Sequence, residues 1–144
     1  MTDREAAAKE WLNRNEELRE EIHVLELRLE EMRASVNKSV GAPEEIKVQT
    51  QPQNNQAEKI ADIVDFEKKI DAKREYYRML EQTTIDTIDR MRDPNKRILL
   101  YLRYVSRRSW RYIADKMHLT ESYVYEFHRK ALSSLYSVIE WGKD

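Results

Sequence analysis

The stretch that decides the fold lies at residues 109–132 and reads SWRYIADKMHLTESYVYEFHRKAL. Its first apolar residues fall at i, i+3, i+4 and i+7, a spacing that predicts a short helix with one buried face. These are Trp110, Ile113, Ala114 and Met117. Ser109 is a natural N-cap for this helix, and Thr120 is one for the next, which follows a three-residue turn that begins at His118. Two helices joined by so short a turn, with small Ala114 where they cross, are typical of a helix-turn-helix.

The second helix of this pair is predicted to bury one apolar stripe and to expose the opposite face. The stripe comprises Val124, Phe127, Ala131, Leu135 and Val138. In a helix-turn-helix the N-terminal part of the second helix enters the DNA major groove, where its outward side chains contact base edges. The predicted outward set comprises Thr120, Glu121, Ser122, Tyr123, Tyr125, Glu126, Arg129 and Lys130, with His128 at its margin. Within it Arg129 and Lys130 can contact phosphates, and Glu121 or Glu126 can accept a hydrogen bond from a cytosine amine.

The motif extends backwards to Asp93, which gives a predicted DNA-binding domain over residues 93–144, with its helices at about Pro94–Ile139. Asp followed by Pro predicts a helix start, because Asp caps well and Pro is favoured at the first helical position. The predicted buried face of this helix comprises Ile98, Leu102 and Val105. Three arginines flank the entry to the first motif helix and are expected to contact the DNA backbone. They are Arg107, Arg108 and Arg111.

Charge is distributed unevenly along the chain, although the net charge is only −1. Residues 1–50 carry 8 basic and 12 acidic side chains, and residues 51–92 carry 8 and 9. Residues 93–144 carry 10 and 6, a net charge of +4. Because clusters of Lys and Arg attract phosphate backbones, this asymmetry indicates double-stranded DNA as the partner of the C-terminal part. The acidic N-terminal part, at net −4, is better suited to contact another protein.

A heptad repeat runs through the N-terminal part and predicts a coiled-coil helix over residues 1–36. Core positions recur every three or four residues from Trp11 onward. They are Trp11, Asn15, Leu18, Ile22, Leu25, Leu29, Met32 and Val36. A polar residue in such a seam, here Asn15, often fixes the register of the helices at a cost in stability.

Residues 37–56 interrupt the heptads with two prolines, a glycine and a run of Gln and Asn, and are predicted to form a flexible polar linker. A second long helix is predicted at residues 57–92. Its apolar face comprises Ile63, Phe66, Ile70, Tyr77, Leu80, Ile88 and Met91, with interruptions at Lys73 and Thr84. The predicted fold is therefore all-α: a long coiled-coil arm of two helices, expected to pair as an antiparallel hairpin, ahead of the helix-turn-helix domain.

The composition argues against several kinds of function. Without cysteine the chain can form no disulfide, thiolate metal site or thiol nucleophile. Its longest apolar run, Ile98–Leu102, is too short to span a membrane, and the first twenty residues lack a signal-peptide core, so a cytoplasmic protein is expected. Neither an enzyme nor a cofactor is predicted, because no phosphate-binding glycine loop or catalytic triad is present. No metal is expected either, since His118, Asp115 and His128 are better explained as turn and helix residues.

The C-terminal part resembles region 4 of sigma-70-type factors. The resemblance rests on three stretches, RILLYLRYV at residues 97–105, SWRYIA at 109–114 and YVYEFHRKAL at 123–132. With the long charged helices and the linker ahead of it, the chain resembles the ArpU/RinA-type late-gene regulators of phages that infect Gram-positive bacteria. The resemblance implies sequence-specific DNA binding and activation of phage genes inside a bacterial host cell, together with host RNA polymerase.

Two departures from region 4 bear on recognition. His118 stands in the turn where region 4 usually has glycine, and histidine tolerates a positive φ better than most residues. Glu121, Ser122 and Tyr123 open the second helix where sigma factors carry more basic residues. An ordinary sigma-factor promoter element is therefore not the expected target.

Two other functions remain open at this point. A phage small terminase subunit also combines a helix-turn-helix with long helices, and it assembles as a ring. An adaptor that binds RNA polymerase through the acidic arm, without sequence-specific DNA contact, is the other. The sequence is compatible with an activator and with a repressor. It is also compatible with a coiled coil formed by two helices of one chain and with one formed between the two chains of a homodimer.

Overall fold

The protein is all-α, as predicted. The computed structural model describes residues 1–41 and 52–142, and no strand occurs in that part of the chain. Helices make up 82% of these described residues. This content follows from a composition with two Gly and three Pro among 144 residues, which leaves little turn chemistry for sheets.

Six α-helices and one π-helical turn form the described part of the chain. In chain order they are α1 (Asp3–Leu12), α2 (Glu16–Gly41), α3 (Pro52–Asp89), α4 (Pro94–Leu100), the π-helical turn (Tyr101–Val105), α5 (Trp110–Lys116) and α6 (Glu121–Tyr136). Three predicted N-caps are confirmed. Asp93 caps α4, Ser109 caps α5 and Thr120 caps α6, each by accepting a hydrogen bond from a backbone N–H of the first turn.

The continuous helix predicted over residues 1–36 is instead two helices, α1 and α2. A capping box at Thr2 and Glu5 starts α1. The helix ends at Leu12, and its C-cap Asn13 has left helical geometry with φ −91° and ψ 1°. Asn15 is buried as expected, but it lies in this break and not within a helical seam.

The side chain of Arg14 holds the break in place. Its guanidinium donates to the Trp11 carbonyl at 2.9 Å and to Thr84 Oγ1 at 3.0 Å, and it lies 3.9 Å from the centre of the Trp11 ring. Thr84 in turn donates to the Leu80 carbonyl at 3.1 Å. The polar residue that interrupts the apolar face of α3 therefore fixes the end of α1.

The chain divides into two compact units, and the first combines both ends of the sequence, Met1–Glu17 and Arg78–Asp144. Its hydrophobic core comprises Ala8, Trp11, Leu12, Ile88, Met91, Leu99, Leu100, Ile113, Ala114, Val124, Ala131, Leu132, Leu135 and Ile139. Within it α1 packs against α6. This unit is larger than the domain predicted over residues 93–144. The heptad pattern assigns Trp11 to a coiled coil, whereas the structure buries it in the core of this unit.

The second unit, Leu18–Tyr77, contains the remaining parts of α2 and α3, which run antiparallel. Arg33 pairs with Glu67 at 3.0 Å and Glu21 pairs with Lys73 at 2.8 Å, so residue numbers rise along α2 as they fall along α3. The buried apolar side chains are Ile22, Leu29 and Ile70. The other predicted seam residues of this unit are half-buried, namely Leu18, Leu25, Met32, Val36, Ile63, Phe66 and Tyr77.

The boundaries of the long helices differ from the predicted ones. Of the predicted linker, residues 37–41 continue α2 and residues 52–56 begin α3, while residues 42–51 lie outside the described part of the chain. At its other end α3 stops at Asp89, three residues before the predicted end. Lys73, a predicted interruption of the seam, is accommodated by its ion pair with Glu21.

Of the predicted buried face after Pro94, Leu102 and Val105 are half-buried and pack against the core, whereas the prediction for Ile98 is wrong. Ile98 is 47% exposed, whereas Leu99 and Leu100 are fully buried. Since five apolar residues are consecutive here, periodicity alone cannot choose the buried face, and α6 packs against the Leu99 and Leu100 side. The π-helical turn that follows, closed by a hydrogen bond from the Ser106 N–H to the Tyr101 carbonyl at 3.0 Å, further shifts the helical phase.

Leu12→Ala and Leu27→Ala form a matched pair that tests the docking of α1. Leu12 is 3% exposed in the core of the first unit, and Leu27 is 61% exposed on α2. We expect Leu12→Ala to lower the free energy of unfolding by about 2–5 kcal/mol and Leu27→Ala by less than about 0.5 kcal/mol. All three tryptophans lie in the first unit, so their fluorescence during urea denaturation reports on that unit. Equal stabilities of the two variants would contradict the packing of α1 on α6.

Candidate nucleic-acid interface

The segment from α5 to α6 has the local geometry that its sequence predicts. Ser109 Oγ accepts from the Tyr112 N–H at 3.1 Å, and Thr120 Oγ1 accepts from the Tyr123 N–H at 3.0 Å. Between the two helices His118 adopts the left-handed conformation, with φ 59°. The turn closes with a hydrogen bond from the Leu119 N–H to the carbonyl of Ala114 at 2.8 Å.

One face of α6 is buried and the opposite face is exposed. The buried residues are Val124, His128, Ala131, Leu132 and Leu135. They are covered by α1, α4 and α5, all of which pack against α6. Phe127 and Val138, the other members of the predicted inner stripe, are half-buried. The start of α1 lies beside the end of α6, where the Arg4 guanidinium donates to Ser137 Oγ at 2.9 Å.

Ten of the eleven predicted DNA-contact residues have exposed side chains. They are Arg108, Arg111, Thr120, Glu121, Ser122, Tyr123, Tyr125, Glu126, Arg129 and Lys130. The exception is Arg107, which is half-buried, has a left-handed backbone with φ 57° and forms an ion pair with Glu16. A phosphate would therefore compete with a carboxylate for the Arg107 guanidinium.

Further arginines border the start of α5. The Arg108 guanidinium lies 4.9 Å from the centre of the Tyr112 ring. Arg111 lines a groove of about 500 Å³ that also contains Asp115 and Glu121. Arg103, which the sequence analysis does not assign to the site, donates to the Arg108 carbonyl at 3.0 Å. In the sequence, Arg103 could have been assigned to this surface from the high density of arginines between residues 103 and 111.

His128 is buried, so its predicted place at the margin of the outer face is wrong. It is 5% exposed, and its Nε2 is hydrogen-bonded to the Tyr104 hydroxyl at 2.8 Å. Burial lowers the pKa of His128 to about 4 and raises the pKa of Tyr104 to about 12. The helical phase of His128 lies next to the apolar stripe, but no sequence pattern reveals the Tyr104 partner that allows an imidazole to be buried there.

Trp110 connects this buried pair to the outer face of α6. The centre of its ring lies 4.5 Å from that of His128 and 5.6 Å from that of the exposed Tyr125. On another side the Arg103 guanidinium lies 4.5 Å from the Trp110 ring centre. The exposed Tyr125 ring is therefore packed against Trp110, which itself packs against the buried His128.

A second groove, of about 560 Å³, is lined mainly by apolar side chains of α4, the α5–α6 turn and α6. They include Ile98, Met117, Leu119 and Phe127, with Lys116 at the edge. Among the residues that the structure describes, no three His, Asp or Glu side chains cluster as metal ligands do. Within the same residues no helix is both long and apolar enough to cross a membrane.

Comparisons with known proteins do not place this chain in a family. It matches no protein-family model, no curated protein and no solved structure. The resemblance to sigma region 4 therefore stays a prediction from the motifs.

The buried His128 predicts a pH dependence of stability. Its pKa is about 4 in the folded protein and near 6.5 in an unfolded chain, so the unfolded state binds the extra proton between these values. The free energy of unfolding should fall as the pH drops from about 6.5 to about 4, by up to about 1.4 kcal/mol per pH unit from this residue.

Urea denaturation of the wild type and His128→Gln across this pH range measures the effect. Glutamine retains a hydrogen-bonding partner for Tyr104 but carries no titrating ring, so the variant should have the shallower pH profile. His23→Gln, at an exposed position of α2, controls for the loss of a histidine elsewhere. Parallel profiles for wild type and His128→Gln would refute the assignment.

Proposed function

We propose that the chain is a sequence-specific DNA-binding transcription regulator in which α5 and α6 form a helix-turn-helix and α6 is the recognition helix. The observation that carries the proposal is the position of α6, whose inner face is buried against three helices while its outer face, from Ser122 to Lys130, is exposed and polar. The left-handed turn at His118 and the buried Ala114 support the same assignment. In this proposal α2 and α3 form a coiled-coil arm, and the protein is a binder and not an enzyme.

The dimensions of α6 suit a major groove. A helix of 16 residues is about 24 Å long, and the major groove, about 12 Å wide, admits an α-helix. Side chains of its first two turns would face base edges, with Ser122, Tyr125 and Glu126 among them. Arg129 and Lys130, one or two turns further on, would reach phosphates.

Arg108 and Arg111 are proposed to contact the DNA backbone. Both are exposed near the start of α5, the helix that crosses the backbone in a helix-turn-helix. Phosphate contacts of this kind position the protein on the duplex and carry no sequence information. Arg107 is given a smaller role, because a phosphate contact would require its ion pair with Glu16 to break.

Arg108→Ala and Arg111→Ala, each made in the full chain, test these backbone contacts. Each should weaken binding to all duplex sequences alike and lower the slope of log affinity against log salt by about one. Fluorescence anisotropy at several salt concentrations measures both quantities. Lys68→Ala, which removes one exposed charge from the second unit, is the matched control and should change neither. Wild-type binding that is absent or insensitive to salt would contradict the proposed function.

Regulation is proposed to involve host RNA polymerase, as the resemblance to region 4 implies. The acidic residues 1–50, at net −4, are unsuited to lie on DNA and suited to face a protein. The apolar groove beside Ile98 offers a second surface for such a contact. A single helix-turn-helix buries little surface on DNA, so the protein needs either polymerase or a second copy to bind specifically.

Footprinting with and without host polymerase separates these two modes. A sigma-like mode predicts one asymmetric protected site that polymerase extends or strengthens. A homodimer predicts a two-fold symmetric site with half-sites about one helical turn apart, and polymerase should not change it. A large ring-shaped oligomer in solution would instead favour the terminase alternative.

A further inference from the structure

We propose that Glu126 reads a cytosine in the major groove and acts as the specificity-determining residue of α6. This inference rests on the proposed function, because it names the base that the same interface recognises. It is carried by the position of one carboxylate, by the absence of an ion pair to it among the described residues and by the chemistry of base edges.

Glu126 lies at the centre of the outer face of α6. It follows Ser122 by four residues and precedes Arg129 by three, so the three side chains share one side of the helix. All three are exposed. The residues on the opposite side, Val124 and Ala131, are fully buried, which fixes the rotation of α6 about its own axis. Any duplex that α6 contacts along this face therefore meets Glu126.

The Glu126 carboxylate forms no ion pair within the part of the chain that the structure describes. Lys130, one turn later and a possible i, i+4 partner, instead places its ammonium 5.6 Å from the centre of the Tyr123 ring. The negative charge of Glu126 is therefore not neutralised before DNA arrives. Facing a polyanion, it opposes binding unless the DNA supplies a hydrogen-bond donor.

Among the bases, cytosine fits a carboxylate best. In the major groove guanine presents the N7 and O6 acceptors, and thymine presents the O4 acceptor and a methyl group, so both repel or fail to satisfy a carboxylate. Adenine offers its N6 amino group beside the N7 acceptor, whereas cytosine offers the N4 amino group as its one polar group. Glu126 would accept a hydrogen bond from that amine.

Glu30, on α2, is the matched comparison for charge. It is also exposed, but it lies in the second unit and outside the predicted DNA-contact set. Removing the charge of Glu30 therefore changes the net charge by the same amount without removing the proposed base contact.

The test is selection of duplexes from a random library by the full-length wild type, Glu126→Gln and Glu30→Gln, followed by anisotropy titrations. The wild type should enrich sites with one fixed cytosine, and replacing that cytosine should weaken its binding roughly 5- to 150-fold. Glu126→Gln should lose most of this preference and bind unselected DNA more tightly than the wild type. Glu30→Gln should retain the preference for cytosine.

The possible failures are distinguishable. If the wild type selects a defined site and Glu126→Gln selects the same one with equal discrimination, the inference about Glu126 is overturned while the proposed function stands. If both glutamine variants lose the cytosine equally, net charge explains the effect and the inference is again overturned. If the wild type binds no duplex at low salt, the proposed function fails and the inference fails with it.

Discussion

Burial of the inner face of α6 is the constraint on which the first unit depends, because an isolated helix of 16 residues is only marginally stable in water. The five buried side chains of α6 must be shielded from water by more than one neighbouring helix. Two of the covering helices, α4 and α5, are its neighbours in sequence, and the third, α1, comes from the opposite end of the chain. This cover fixes the rotation of α6, and so it determines which side chains, Ser122 and Glu126 among them, face outward.

The parts of the fold that could be predicted are those set by local chemistry. The caps at Ser109 and Thr120 and the turn at His118 depend on neighbouring backbone groups, and all three are as the sequence indicates. The spacing of Trp11 fits a heptad seam and predicts a coiled coil, and only the tertiary fold shows that it belongs to the core of the first unit. His128 shows the same limit, since its burial depends on a hydroxyl 24 residues away in the sequence.

Under the proposed function, affinity and specificity belong to different side chains. Arg108 and Arg111 are placed to attract any duplex, whereas the Glu126 carboxylate, which has no ion pair among the described residues, discourages most duplexes. Discrimination by repulsion accounts for an acidic residue on the exposed face of a domain that is otherwise basic. The ion pair between Arg107 and Glu16 joins one of the basic residues to the first residue of α2. Because the break before α2 positions Glu16, that break also affects the charge of the proposed interface.

The central claim, that the outer face of α6 meets DNA while its inner face stays packed, is tested most directly by amide chemical-shift mapping of the full-length protein. A short duplex is titrated at low salt. The account predicts the largest shifts at Ser122, Glu126 and Arg129 and at Arg108 to Arg111, with the buried Ala8 and Leu12 unchanged. Shifts confined to α2 and α3, with α6 unaffected, would contradict it.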